Sequence, residues 1–174
     1  MKRLLLSIGV LSAVLALTVG LNSALAASHS AGAGAKVAVA KTGLGPVLVD
    51  GRGRTLYLFE KDKHGKSTCA GKCAAFWPPL IASGKPRATA GAKASLLGTT
   101  KRADGRLQVT YNHHPLYTFV KDTAKGQTNG EGIDAFGAEW DAVSASGAKV
   151  VKTEAQSGSG DSPAPGGYDY GDGY

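Results

Sequence analysis

Two elements, Tyr57–Asp62 and Tyr117–Asp122, repeat one pattern: tyrosine, any residue, phenylalanine, two further residues, aspartate. A phenol and a carboxylate at fixed spacing can serve two ends. In the first reading Tyr57, Phe59, Tyr117 and Phe119 fill a core. Asp62 and Asp122 then accept backbone N–H groups of the loops that follow, as Asx-type caps. A buried tyrosine hydroxyl also needs a hydrogen-bond partner, and the recurring aspartate can supply it. In the second reading the two elements form a paired ligand site across a pseudo-twofold axis. The first accounts for the spacing without a ligand and is the one expected.

Cys69 and Cys73 are the only cysteines. In an oxidising compartment an even count implies a disulfide. The loop it closes is short, so it pins local shape more than it secures the fold. As a reduced pair the two sulfurs would suit Cu(I). The spacing is neither the C-x-x-C of a redox site nor the C-x-x-C-H of haem attachment. Four-coordinate zinc would need further ligands, and only His64 is near in sequence. His29 opens another metal option. Cleavage after Ala26 would start the chain Ala27-Ser28-His29, whose amine, two amides and imidazole make a square-planar nitrogen set for Cu(II) or Ni(II). His113 and His114 sit in a predicted hairpin tip and are further metal candidates. No cofactor is required by these patterns, and copper is the alternative.

The acidic run Asp122, Asn129, Glu131 and Asp134 does not match an EF-hand loop, and its glycines suit a solvated loop better. Ser–His–Asp order, a glycine-rich phosphate loop and His-Glu-x-x-His are all missing. Nothing selects a carboxylate pair for glycoside chemistry. The expectation is a protein that is not an enzyme.

The elements that must position these groups come from an internal repeat. Shifted by 60 residues, Val47–Asp62 falls on Leu107–Asp122 with six identities in sixteen positions. The match resumes where Trp77–Gly84 meets Trp140–Gly147. Each unit, about 45–84 and 105–147, reads as strand, tight turn, aromatic strand, irregular loop and Trp strand. Gly51-Arg52-Gly53 and Asn112-His113-His114-Pro115 are turn material. Asp104-Gly105, between Thr99–Arg102 and Leu107–Tyr111, signals a hairpin. Alternation sets Tyr57 and Phe59 on one face and Leu56 and Leu58 on the other, and Tyr117 and Phe119 against Leu116 and Thr118. Two apolar faces suit an all-β sandwich or small barrel built from two pseudo-symmetric repeats. Only Ala70–Phe76 and Ala92–Leu97 look helical.

The paired Tyr-x-Phe-x-x-Asp elements resemble a bacterial family of secreted repeat proteins and predicted lipoproteins of unknown function, defined by tandem Tyr-x-aromatic-x-x-Asp motifs. Ser67–Pro79, with its cysteines and Trp77, is similar to that family's first repeat, and Leu96–Thr100 to its inter-repeat stretch. The resemblance covers roughly 43–150. It implies an extracytoplasmic location and a repeat architecture, and no chemistry.

The amino terminus agrees on location. Lys2 and Arg3 precede an apolar run, Leu4 to Leu21, and Ala24-Leu25-Ala26 is a cleavage site with small residues at the two determining positions. No cysteine stands at that junction, so a free, unlipidated protein is expected. Residues 1–26 are read as signal peptide, 27–36 as linker, 37–153 as the two-repeat domain and 154–174 as a disordered Gly/Tyr/Asp tail. No later segment is apolar enough to cross a membrane. The formal net charge of +7 falls to +5 when Lys2 and Arg3 leave with the signal. The remaining basic residues are scattered, and no motif or basic stripe points to nucleic acid. The expected function is a secreted, non-enzymatic module that binds a partner at or outside the cell envelope. The alternative is an extracytoplasmic copper or electron-transfer protein built on Cys69, Cys73 and the histidines.

Overall fold

A computed structural model describes residues 34–151. The signal segment, most of the linker, His29 and the Gly/Tyr/Asp tail lie outside the described residues. Strand β1 (Lys36–Thr42) turns through Gly43 and Leu44 into β2 (Gly45–Asp50), and Thr42 Oγ1 closes the turn by accepting the Leu44 N–H and donating to the Gly45 carbonyl. A two-residue strand, β4 (Arg87–Ala88), lies parallel to β1 on its other side. The second hairpin, β5 (Leu97–Lys101) and β6 (Leu107–Tyr111), turns at Arg102–Arg106, and β7 (His114–Pro115) folds back on β6. Short β3 (Tyr57–Phe59) pairs with β9 (Ala138–Ala142), itself hairpinned to β8 (Ile133–Ala135).

The fold is therefore all-β, with three small sheets of three strands. The expected helical segments shrink to one turn each, α1 (Lys72–Phe76) and a 3-10 turn at Ala94–Leu96. The closed barrel does not form. With strands of two to seven residues, no continuous ladder runs far enough to return to its own edge. Asn112-His113 makes the β6–β7 turn, with φ of 47° and 67°. Both central residues are left-handed, as a type I′ hairpin requires, and Asn and His tolerate that region.

Each repeat lends its Trp segment to the other. After Trp77 the chain leaves its own repeat and enters the second: Val109 N donates to Leu80 O (2.8 Å), Leu80 N to Leu116 O (2.9 Å) and Leu116 N to Val109 O (3.0 Å). After Trp140 the chain returns to the first repeat in the same way. Leu48 N donates to Val143 O (2.7 Å), Val143 N to Leu56 O (3.0 Å) and Leu56 N to Leu48 O (2.9 Å). The pseudo-twofold axis passes between Tyr57 and Tyr117, whose backbones exchange reciprocal bonds of 2.9 and 3.0 Å.

This exchange makes both cores common property. Tyr57, Phe59, Tyr117 and Phe119 share one apolar cluster with Trp77 and Trp140. Leu56, Leu58 and Leu116 share the other with Leu48, Val109 and Val143. The period-two alternation thus sorts each strand into two cores. Each core therefore draws its side chains from both repeats.

Candidate functional site

The recurring groups meet at the axis. Phe119, Trp77, Trp140 and Phe59 form one continuous ring stack, with centroid separations of 4.3, 4.0 and 4.1 Å. The two tryptophans at its centre are nearly parallel, at 4°. Tyr57 presents its edge to Trp77 and Tyr117 its edge to Trp140, at 5.4 and 5.1 Å. Edge-on contact sets the positive rim of one ring against the negative face of the other. Each of these side chains removes roughly 150–250 Å² from water, worth about 4–6 kcal/mol in transfer terms.

The tyrosine hydroxyls cross the axis. Tyr57 donates to Asp122 Oδ2 and Tyr117 to Asp62 Oδ2, each at 2.6 Å. The partner aspartate comes from the other repeat, not from the tyrosine's own motif. The second oxygen of each aspartate caps its own loop. Asp62 Oδ1 accepts Thr68 N and Thr68 Oγ1, both at 2.7 Å, and Asp122 Oδ1 accepts Asn129 N at 2.9 Å. Gly130 N donates to Tyr57 Oη at 3.2 Å, and only glycine fits there, because a Cβ would lie 2.8–2.9 Å from Trp77 and Tyr57.

Burial pushes both phenols well above the ordinary tyrosine value, and the facing carboxylates push the same way. Burial also raises Asp62 and Asp122, opposed by the tyrosine hydrogen bonds. Each pair therefore holds its proton on the phenol between two interior oxygens.

Beside one pair the network runs outward. Tyr117 Oη lies 2.8 Å from Ser67 Oγ, which accepts Arg102 Nη1 at 2.6 Å. Arg102 is only 7% exposed. Its other bonds go to Gln108 Oε1 (2.6 Å) and the Cys69 carbonyl (2.7 Å). Its Nε makes no hydrogen bond, and Asp104 Oδ2 stands 3.6 Å away. Asp104 is committed to Arg106, which binds it through Nε (3.0 Å) and Nη2 (2.7 Å) and holds its pKa down to about 2. Arg102, Asp104, Arg106 and Ser67 line a cavity of about 490 Å³ whose apolar wall is Ala70, Ala74 and Ala75.

Cys69 and Cys73 are joined in a disulfide at the rim of this cavity, with Cα atoms 5.3 Å apart. The sulfurs are spent on each other, so the thiolate pair that would hold Cu(I) is not formed. Of the histidines, His64 and His113 occupy neighbouring turns, since a Cβ on Gly65 would lie 3.3 Å from the His113 carbonyl. His114 is half-buried, and burial holds its pKa below the usual histidine value. Among the described residues no three His, Cys, Asp or Glu side chains converge as metal ligands. The acidic run also disperses. Asp122 and Asn129 cap one loop, Glu131 Oε2 accepts the Ala142 N–H at 2.7 Å, and Asp134 sits on β8.

A second recess, near 380 Å³, is lined by Glu131, Glu139, Asp141 and Lys149. Lys149 Nζ stands 3.3 Å from Glu60, 3.5 Å from Glu139 and 3.7 Å from Asp141. Burial, reinforced by Glu139, raises Asp141 to about 6. Sequence reasoning singled out neither Arg102 nor Asp141. Arg102 is one basic residue among many scattered ones. Asp141 left one trace, an acid directly after the repeated Trp where the first repeat has Pro78.

Among the described residues no helix is long and apolar enough to cross a membrane, which leaves strand-built spans unaddressed. No curated protein and no solved structure matches this chain. A family profile does, over 38–81 and 98–144, more than half of the 174 residues. Both matched stretches start one strand earlier than the motif repeat alone, at β1 and β5, and end in the exchanged Trp segments. The chain belongs to the Lipoprotein_15 family, a secreted repeat of unknown function.

Proposed function

We propose that the protein is a non-enzymatic, unlipidated binding module working at or outside the cell envelope, and that it takes an anionic ligand in the cavity beside the disulfide. One observation carries the reading. Arg102 is a buried guanidinium on the wall of an open cavity: its hydrogen bonds all go to neutral oxygens, and its enclosed Nε makes none, with Asp104 Oδ2 3.6 Å away. A buried charge whose nearest carboxylate stands 3.6 Å off and is already held by Arg106 favours an incoming carboxylate or phosphate oxygen, and Arg106 adds positive charge at the mouth. The volume lies within the range of small-ligand sites. Catalysis is disfavoured because the recurring phenols and carboxylates are bonded to each other in the interior.

Isothermal titration of the secreted protein with succinate and with inorganic phosphate tests this. Saturable binding of one of them is expected, weakened about tenfold by Arg106→Gln, which removes a positive charge at the mouth and leaves the Asp104 carboxylate free to repel the anion. No heat from either anion, or identical titrations with the variant, would refute the site.

A further inference from the structure

The pseudo-symmetry exposes a surface that the fold does not need. Val120 N donates to Phe76 O at 3.1 Å, and at the related place Glu60 N donates to Glu139 O at 3.0 Å. The same backbone bond thus carries two apolar side chains on one flank and two carboxylates on the other. Phe76 and Val120 are 36% and 43% exposed. Since acids occupy the equivalent positions without disturbing the strands, packing does not demand phenylalanine or valine there.

Phe136, half-buried against the aromatic core, joins them from the tip of the β8–β9 hairpin, its ring 6.2 Å from that of Phe76. Its φ is 58°, followed by 85° at Gly137. A type I′ turn prefers Asn, Asp or Gly at that first position, and a bulky ring there is an outlier. Backbone strain of this kind gathers at functional positions.

Lysines accompany the patch. Lys61 Nζ donates to the Phe136 carbonyl at 3.3 Å. Lys72 stands one helical turn before Phe76 on α1, and Lys121 follows Val120 in the chain. Two exposed apolar side chains and a half-buried phenylalanine, with Lys61 bonded beside them and Lys72 and Lys121 near in the chain, match an interface in which rings enter the acyl boundary and ammonium groups meet anionic headgroups.

We infer that this face docks on an anionic lipid surface, with Phe76, Val120 and Phe136 inserting and Lys61, Lys72 and Lys121 contacting headgroups. The surface shares no lining residue with the Arg102 cavity, with α1 bordering both, and vesicle binding and anion titration test the two readings separately.

Co-sedimentation of the secreted protein with phosphatidylglycerol–phosphatidylcholine vesicles, against pure phosphatidylcholine vesicles, tests the inference. Binding is expected on the anionic vesicles only, falling as salt screens the lysines. The double variant Phe76→Gln with Val120→Gln keeps the net charge and places neutral analogues of Glu139 and Glu60 on the same backbone. It should melt as the parent does and bind vesicles about tenfold more weakly. Phe136→Asn relieves the left-handed strain but gives up the ring's packing against the core, so thermal stability should stay near the parent's while vesicle binding weakens. Arg106→Gln should sediment like the parent. Failure of the parent to bind anionic vesicles, equal binding to neutral ones, or full binding by the folded Gln variant would each overturn the assignment.

Discussion

The axis and the two flanks of this molecule obey different rules. At the axis both repeats carry the same residues: tryptophans stacked on each other, tyrosines edge-on to them, and aspartates reaching across. On the flanks equivalent backbone bonds carry Phe76 and Val120 on one side, Glu139 and Glu60 on the other. The loops after the shared aspartates differ as well. The first is closed by the Cys69–Cys73 disulfide and α1, the second by the β8–β9 hairpin. Agreement therefore marks what holds the exchanged repeats together, and divergence marks what is free to be used for something else.

The harshest way to break the comparison is to empty the axis. Trp77→Ala and Trp140→Ala should each cost about 3–5 kcal/mol, because the cavity opens between rings that cannot collapse onto each other. The milder Trp→Phe pair sharpens it. Trp140 Nε1 donates to the Ala135 carbonyl at 3.2 Å, while Trp77 Nε1 makes no hydrogen bond. Trp140→Phe strands a carbonyl, whereas Trp77→Phe removes a donor that already lacks a partner. Trp77→Phe should therefore be the cheaper by about 1 kcal/mol, measured by urea denaturation. Equal costs would show that the stack treats its two halves alike.

Next in size is the crossing of the tyrosines. A double-mutant cycle between Tyr57→Phe and Asp122→Asn should give a coupling of about 1.5–3 kcal/mol, since the bond is buried and charge-assisted. The cycle between Tyr57→Phe and Asp62→Asn, residues of the same motif, should come out nearly additive. Strong coupling within the motif and none across the axis would contradict the exchange.

That crossing was not legible in the residues. Both motifs are alike, so a hydroxyl paired within its repeat and one paired between repeats satisfy the same pattern. Only the reciprocal pairing of Tyr57 with Tyr117 on the axis brings the other repeat's aspartate closer. Local signals fared better because their physics is local. The alternation of Leu56, Tyr57, Leu58 and Phe59 sorted two cores, and Asp104-Gly105 and Asn112-His113 turned two hairpins. The cysteines four apart closed on each other. Arg102 was invisible for the opposite reason. Its burial depends on Ser67, Gln108 and the Cys69 carbonyl, three groups brought together only by tertiary structure.

The smallest effect sits where Asp141 stands opposite Pro78 in the repeat. Burial raises this carboxyl to about 6, with Glu139, Glu131 and Glu60 adding to the shift and Lys149 opposing it. One of its oxygens makes no hydrogen bond. An unfolded aspartate titrates near 3.9, so the folded state holds the proton more tightly across the interval between. The stabilisation from that proton is fully present below about pH 3.9 and is lost as pH rises through about 6. Asp141→Asn removes the ionisation and with it the loss. The variant should exceed the parent at pH 7 by about 1 kcal/mol, the scale of an unsatisfied buried acceptor. The margin should shrink steadily on acidification and vanish near pH 4, whatever the other carboxylates do, because they titrate in both proteins. A margin independent of pH would mean that Asp141 ionises as an ordinary surface acid and that the flank's charges ignore one another.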